Sequence, residues 1–313
     1  MNIANLKQLF TVREDLQPWP GHQTFSAIDH EFSQQRYGEW KNYALGHDLY
    51  PTEYLLPQIC VDCPPEYPVF MTDESRHADY SLEELKAKID SLSPWGFHFR
   101  FRGGLVTHDN SVARNRILCR SHLITSTVEK LLGEGIEQSE VLDLGCHSGF
   151  FSMDIASRGV KNVVGVELRA SNIEQARFLA DYYKVSNVEF IEADVMTYDP
   201  KRTYSAVLNL GLLYHVTNPI ELVNKTYELC ERFAVIDTIC HKEPISAFIT
   251  SFHKDTSRDA EGKFSVELHP TYRALIDTMY HAGFKQLIEV VAVSGRVSGF
   301  YETHERRCIL GFK

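Results

Sequence analysis

The chain lacks what would place it in a membrane. Its 313 residues hold no apolar run near the ~20 residues that span a bilayer, and the first residues show no signal-peptide pattern. Positive charge is in deficit. Lys and Arg number 32 against 42 Asp and Glu, a formal net charge of −10. With no lysine-rich stretch either, that argues against a general polyanion binder, although a local basic patch stays compatible with it. Cysteines are seven, an odd number, and scattered. That is the usage of reduced thiols in a cytoplasmic protein, not of a disulfide framework. The lone C-x-x-C, Cys60 to Cys63, lacks a second pair of ligands for zinc. It also lacks a strand–helix context for redox chemistry, and Pro64-Pro65 follows it, so it reads as two ordinary thiols in a loop. What remains is 43% apolar and 24% charged residues, the composition of a globular protein with ample core for one large domain or two modest ones.

Residues 141–150, Val-Leu-Asp-Leu-Gly-Cys-His-Ser-Gly-Phe, organise the rest. Val141, Leu142 and Leu144 predict a short buried strand. Gly145 breaks it, and residues 151–158 predict a helix ended by Gly159. A strand, a glycine turn and a helix start bring backbone N–H groups to a polar ligand. A dinucleotide fingerprint would want G-x-G-x-x-G; His147 and Phe150 occupy its other two glycine positions. Strand and helix then alternate, as a doubly wound sheet requires. Strands are expected at 161–166, 188–191, 205–210 and 234–239, and an antiparallel pair at 287–293 and 307–312. Glu167 follows the second strand, 22 residues after Gly145, near the spacing at which an acid takes a ribose diol. Asp194 follows the third. Capping residues predict helices from Ser111, Ser171, Asn218-Pro219 and Thr271.

The first 95 residues differ. They are rich in Pro, Tyr, Phe and Trp and weak in periodicity, and are expected to form a cap over the main domain of residues 96–313. Residues 2–10 predict a short helix and Ser81-Leu-Glu-Glu84 a capping box; residues 15–70 predict short helices mixed with loops. From Trp95, Phe97, Phe99 and Phe101 alternate with His98, Arg100 and Arg102. Period two predicts a strand with an aromatic and a cationic face. The cationic face is either solvated or one wall of a pocket that pairs with a carboxylate or phosphate. Residues 240–269 predict a polar loop carrying His241, His253 and His269, irregularly spaced for a metal site.

The acid before the first glycine in Asp143-Leu-Gly145-Cys-His-Ser-Gly149 resembles the first motif of class I S-adenosylmethionine (SAM) methyltransferases, with His147 replacing the usual middle glycine. The resemblance covers about residues 105–313 and implies an α/β, Rossmann-like, doubly wound seven-stranded sheet that binds SAM. More narrowly, Trp95 with its aromatic strand, and Gly211-Leu-Leu-Tyr214-His215 with Asn218-Pro219, are similar to relatives of the tRNA uridine carboxymethyltransferase and to methyltransferases of small metabolites. Gly145, Cys146, His147, Gly149, Glu167, Leu168, Asp194, Val195 and Asn209 are expected around SAM, with Asp143 supporting the turn or reaching the methionine amine, and the superfamily resemblance puts Asp194 at the adenine amino group.

The function expected is transfer of a methyl group from SAM to an O or N atom of a small or medium metabolite. A carboxylated SAM is compatible with the same motifs. His215 is the first candidate base, with Tyr214 beside it and His241 second; Trp95, Arg100, Arg102 and His253 are candidates for the substrate, which two arginines would suit if it were acidic. No metal and no membrane are expected, and a homo-oligomer is compatible with the sequence. The alternatives are an RNA-modifying enzyme, which needs a basic patch, and a non-catalytic SAM-binding regulator, which needs a blocked crevice.

Overall fold

A computed structural model of the protein describes residues 3–14, 56–107, 110–241, 243, 245–253, 265–295 and 297–313. In these residues the chain runs α1 (Ile3–Leu9), β1 (Thr11–Arg13), β2 (Gln58–Cys63), α2 (Val69–Thr72), α3 (Leu82–Ser91) and α4 (Ser111–Leu132). It continues β3 (Glu140–Leu144), α5 (Phe150–Ala156), β4 (Asn162–Glu167), α6 (Ala170–Tyr183), β5 (Val188–Glu192), β6 (Tyr204–Leu210), α7 (Pro219–Leu229) and β7 (Cys230–Ile239). Then come β8 (Phe248–His253), β9 (Ser265–Pro270), α8 (Tyr272–Ala282), β10 (Gln286–Gly295), α9 (Gly299–Glu302) and β11 (Arg306–Phe312).

The seven strands expected in residues 141–312 form, and the last two pair antiparallel as expected. The sheet order is β1-β2-β10-β11-β7-β6-β3-β4-β5. From β7 to β5 every pairing is parallel. The chain therefore reverses its winding at β3, between β4 and β6, which is where an open α/β sheet opens a crevice at its carboxyl edge. Near-continuous apolar runs in β3, β4, β6 and β7 suit strands covered on both faces. One face carries α4, α5 and α6, the other α7 and α8.

The described part of the first 95 residues does more than lie over the domain. β2 pairs parallel with β10 and β1 antiparallel with β2, which extends the sheet to nine strands. Cys60 and Cys63 thus lie in a strand, not in a loop. Three residues apart, they face opposite sides of the sheet. Cys63 is buried, and its thiol donates to the carbonyl of Cys119 at 3.6 Å. Most of the stretch from 15 to 70 expected to mix helices and loops, residues 15–55, lies outside the described residues.

The segment from Trp95 to Arg102 is not a strand. Its pairing is a single bridge between Arg100 and Val106. The alternation of its aromatics has another cause. Phe99 and Phe101 are buried against Phe150 of α5 and against Phe178, Tyr182 and Tyr183 of α6, each worth about 1.5–3 kcal/mol. His98, expected on the outer face, is buried and bonded to the Tyr67 hydroxyl at 3.0 Å. Two helix starts also differ. Asn110, not Ser111, caps α4 by accepting from the N–H groups of Val112 and Ala113. α6 begins at Ala170 with no side-chain cap, and the N–H of Arg169 just before it donates to Glu167. Residues 240–269, expected to be a loop, carry the antiparallel hairpin β8–β9.

Candidate functional site

The turn after β3 demands left-handed backbone three times: Gly145 at φ 72°, His147 at φ 52° and Gly149 at φ 77°. A side chain at Gly149 would fall 2.5 Å from the Phe190 ring. His147 adopts the same conformation without being glycine, at a cost on the order of 1–2 kcal/mol. Its N–H donates to Glu167 Oε2 at 3.0 Å, which fixes the turn. The Arg169 N–H donates to Glu167 Oε1 at 2.9 Å. One carboxylate thus ties the glycine turn to the start of α6, and two of its roughly four acceptor positions are used. The His147 ring lies under Phe97, centroids 4.7 Å apart. A Cβ on Gly96 would come within 2.7 Å of it. Burial lowers the pKa of His147, and its Nδ1 accepts from the Ser148 N–H at 2.8 Å, so the ring is neutral.

The other residues expected at the cofactor divide. Leu168 is 54% exposed beside Glu167. Asp194 is exposed and accepts from the Met196 N–H at 2.8 Å; Val195 behind it is buried. The Ala193 N–H to Glu167 carbonyl bond holds the ends of β4 and β5 side by side. Three others do not face the crevice. Asp143 is fully buried on the α5 side, where Ser152 Oγ donates to it at 2.6 Å, and burial pushes its pKa up to about 6. Cys146 points its sulfur toward Gly165, where a Cβ would come within 2.8 Å of it. Asn209 is buried beneath α7 and donates to Thr226 Oγ1 at 3.3 Å. The last two are corrections: alternation along β6, and the direction of the turn, send these side chains into the body of the domain.

At the end of β6 a single helical turn, Leu213–His215, packs beside the glycine turn; a Cβ on Gly145 would meet Leu212 at 3.0 Å. Hairpin strand β9 covers it. His215 is half exposed, with Nδ1 3.0 Å from Glu267 Oε1. Glu267 Oε2 lies 2.8 Å from His269 Nε2. The His269 ring stacks on Tyr214, centroids 4.9 Å apart and 10° from parallel. Tyr214 is buried, and its hydroxyl accepts from Arg306 Nη2 at 3.3 Å. His241 pairs with Glu243 at 3.5 Å and sets its ring edge-on to His269. His253 closes β8 opposite Ser265.

Beneath this turn lies a buried ionic cluster. Asp237 Oδ1 accepts from Arg120 at 3.0 and 2.6 Å and from Arg306; Oδ2 accepts from the Tyr301 hydroxyl. Burial would raise Asp237, but Arg120 and Arg306 outweigh it and hold the pKa below the usual carboxylate value. Two guanidiniums share one carboxylate, both within about 3.6 Å of where a Gly211 side chain would stand. Sequence reasoning missed Arg120, Asp237, Glu267, Tyr301 and Arg306. Their partners lie up to 117 residues apart. The local cue was a charge inside an apolar strand: Asp237 in Val-Ile-Asp-Thr-Ile and Arg306 before Cys-Ile-Leu.

Three residues expected at the substrate are elsewhere. Arg100 pairs with Glu74 at 4.0 Å, and Arg102 with Asp79 at 3.1 Å. Their backbones bond to the hydroxyls of Tyr183 and Tyr182, at the last turn of α6. The 14 residues of α6 span roughly 20 Å, so both arginines sit far from the Glu167 end. The aromatic packing that pulls Phe99 and Phe101 onto α6 carries them there. Trp95 is buried and donates to the Ile89 carbonyl at 2.9 Å. Among the described residues, no three His, Cys, Asp or Glu side chains are grouped to hold a metal, and no helix is long and apolar enough to cross a membrane.

Residues 141–232 match the family described as "Methyltransferase domain". A 23S rRNA (uracil(1939)-C(5))-methyltransferase of Haemophilus influenzae is 30% identical over 188 residues, 49% of this chain and 42% of that protein. A tRNA U34 carboxymethyltransferase of Histophilus somni is 27% identical over 152 residues, 47% of this chain and 45% of that protein. The chain thus spans under half the length of these curated relatives. Among solved structures, the N-terminal domain of EvdMO1 with SAH and D-fucose superposes with a TM-score of 0.54 at 18% identity, over 74% of this chain and 97% of that one. The matched family, the strand order and the turn at Gly145 agree: residues 141–232 match a methyltransferase domain, and the sheet has the fold of class I SAM-dependent methyltransferases.

Proposed function

We propose that the chain transfers a methyl group from SAM to an oxygen or nitrogen of a small or medium metabolite. The observation that carries this reading is the place of His215. It stands, half exposed, in the helical turn that follows Leu212, whose side chain packs on Gly145, with Nδ1 3.0 Å from a buried carboxylate.

The turn residues fit a SAM-sized ligand. Glu167 keeps acceptor positions beyond the two backbone donors it binds, as a ribose diol needs, and Leu168 exposes apolar surface next to it. Gly145, His147 and Gly149 would bring backbone to the methionine end, and Asp194 with Val195 would take the adenine. SAM supplies a methyl group on a positively charged sulfur, which needs in-line alignment of the acceptor more than covalent help. The chain's own part is then to orient the acceptor, exclude water and take its proton. His215 is placed for the proton, since a neutral imidazole carries one nitrogen that accepts a proton. Tyr214 lies in the same turn but is buried and bonded to Arg306, so it shapes the site. His241, bound to Glu243, stays the second candidate. The cluster of Arg120, Arg306 and Asp237 adds net positive charge under the site and takes over from Arg100 and Arg102 as the argument for an acidic acceptor.

The EvdMO1 domain was solved in the presence of SAH and a sugar, D-fucose, which favours a metabolite. The rRNA methyltransferase and the tRNA carboxymethyltransferase favour RNA instead. Against RNA stand the net charge of −10 and the pairing of Arg100 and Arg102 with carboxylates. Mass spectrometry of ligand retained by the purified protein identifies SAM, SAH or a carboxylated SAM. His215→Gln should then keep SAH affinity while turnover falls about a hundredfold, within the range of one general base. Unchanged turnover with the same pH profile makes His215 structural.

A further inference from the structure

We infer that the point beside Gly211, ringed by the guanidiniums of Arg120 and Arg306, is an oxyanion subsite that holds a carboxylate or phosphate of the methyl acceptor. This deepens the small-metabolite reading and rests on it.

Gly211 follows β6 and stands at φ 85°, a conformation that favours glycine. Its missing side chain leaves a point open. Outside its own chain neighbours, the three atoms nearest that point are all guanidinium nitrogens: Arg306 Nη1 at 3.5 Å, Arg120 Nη2 at 3.6 Å and Arg306 Nη2 at 3.6 Å. An oxygen set slightly closer reaches the ~2.7–2.9 Å of a charge-assisted hydrogen bond. Gly211 is half-buried, and Arg120 and Arg306 are 5% and 7% exposed, so the point is shielded from water without being sealed. Shielding strengthens the attraction of charge for charge.

The nitrogens are not used up by the protein. Arg120 gives Nε and Nη2 to Asp237 Oδ1, and Arg306 gives Nη1 to the same oxygen and Nη2 to the Tyr214 hydroxyl. Asp237 Oδ2 takes the Tyr301 hydroxyl. Each guanidinium carries five N–H groups, so both keep donors beyond these bonds. Two buried cations share one carboxylate, and a second anion completes the pairing that buried charges require. The frame is fixed: Arg120 lies over the Phe151 ring, 4.8 Å from its centroid, and the Gly211 N–H donates to the Asp237 carbonyl at 2.7 Å. The subsite stands at the carboxyl end of β6, where an open α/β sheet binds ligands, just before the turn Leu213–His215. The acceptor is then a small acid whose carboxylate or phosphate lies close to the reacting O or N. A cluster serving stability alone would not take up an added anion, and that difference is measurable.

The test titrates inorganic phosphate, and separately acetate, into the SAH-saturated, 15N-labelled full chain. It follows the arginine Nε–H signals of Arg120 and Arg306, assigned by Arg120→Lys and Arg306→Met. Saturable shifts of both signals are expected with at least one of the two ions. Gly211→Ala places a methyl group on the point and should weaken that binding about tenfold or more, the loss of one charge-assisted bond, with SAH affinity within about twofold. Arg306→Met leaves Arg120 and Asp237 as a one-to-one pair and should abolish the shift of Arg120; it decides the matter if Gly211→Ala does not fold. No saturable shift in the wild type, or shifts unchanged in either folded variant, overturns the inference. Two further arms separate the sources of the oxyanion. A low-mass product methylated from labelled SAM should be held by an anion-exchange column at neutral pH, and a neutral product overturns the acceptor assignment. So does a carboxylated SAM whose affinity, unlike that of SAH, falls in Arg306→Met, because the oxyanion then belongs to the cofactor. The small-metabolite reading fails separately, if labelled methyl reaches only RNA or nothing, whatever phosphate does at Gly211.

Discussion

Replacing Glu167 with Gln should damage the cofactor site without unfolding the domain. In the structure the carboxylate accepts from the His147 N–H at 3.0 Å through one oxygen and from the Arg169 N–H at 2.9 Å through the other. Gln keeps one oxygen. One of these backbone donors then faces an amide NH2 group, and the charge that favours both bonds is gone. Hydrogen bonds to charged groups contribute about 1.5–3 kcal/mol. A ribose diol bound at the remaining acceptor positions would lose a bond of that kind, so SAH affinity should fall roughly 10- to 150-fold at about 1.4 kcal/mol per decade. The free protein should lose on the order of 1–2 kcal/mol, because the Gly145–Gly149 turn and the start of α6 share this one side chain. Calorimetric titration with SAH reads the first effect and urea unfolding the second. Stability lost as predicted but affinity unchanged would refute the ribose assignment and leave Glu167 as a structural staple.

Three further outcomes follow from the geometry. Asp143 has its pKa raised from 3.8 to about 6 by burial. The unfolded chain ionises it first, so this group removes stability as pH rises through that window, by up to about 3 kcal/mol at 1.36 kcal/mol per unit. Asp143→Asn should therefore flatten the fall in urea stability between about pH 4 and 6, and the same slope in both proteins would contradict the burial argument. Asp237→Ala leaves Arg120 and Arg306 buried without their carboxylate and should cost about 3–5 kcal/mol in urea unfolding; a loss below about 1 kcal/mol would mean the arginines find other partners. Replacing Arg100 and Arg102 together with Ala should leave SAH affinity and the Michaelis constant for the acceptor within about twofold, as salt bridges this exposed contribute at most about 1 kcal/mol; a large rise in the Michaelis constant would return them to the substrate.

Four of the five parallel strands were legible because each is a short, mainly apolar run closed by Gly or Glu; β7, followed by Cys240, was legible from its apolar run alone. Glu167 was legible from its spacing to Gly145, which reflects the fixed length of one strand–helix–strand unit. β2 was not. Gln-Ile-Cys-Val-Asp-Cys is six residues among prolines, and its partner β10 lies some 230 residues on, so nothing local announces the pairing. The strand expected at Phe97–Phe101 failed for a related reason. Phenylalanines at every second position report burial of one face, and an aromatic cluster on α6 satisfies that as well as a ladder does. Asn209, expected at the cofactor, is turned to α7 by the parity of β6. Glu267 was hidden by distance. Its partner His215 is 52 residues back, and the charged run after His253 made the whole insertion read as solvated.

The central claim is tested most directly by following a labelled methyl group from SAM. The purified protein is incubated with labelled SAM and a cell extract, and the products are separated by size, with and without ribonuclease. Label is expected in a low-mass, ribonuclease-indifferent product that needs the protein and is lost with His215→Gln. Label in a large product destroyed by ribonuclease, or SAM bound with no label transferred to anything, would contradict it.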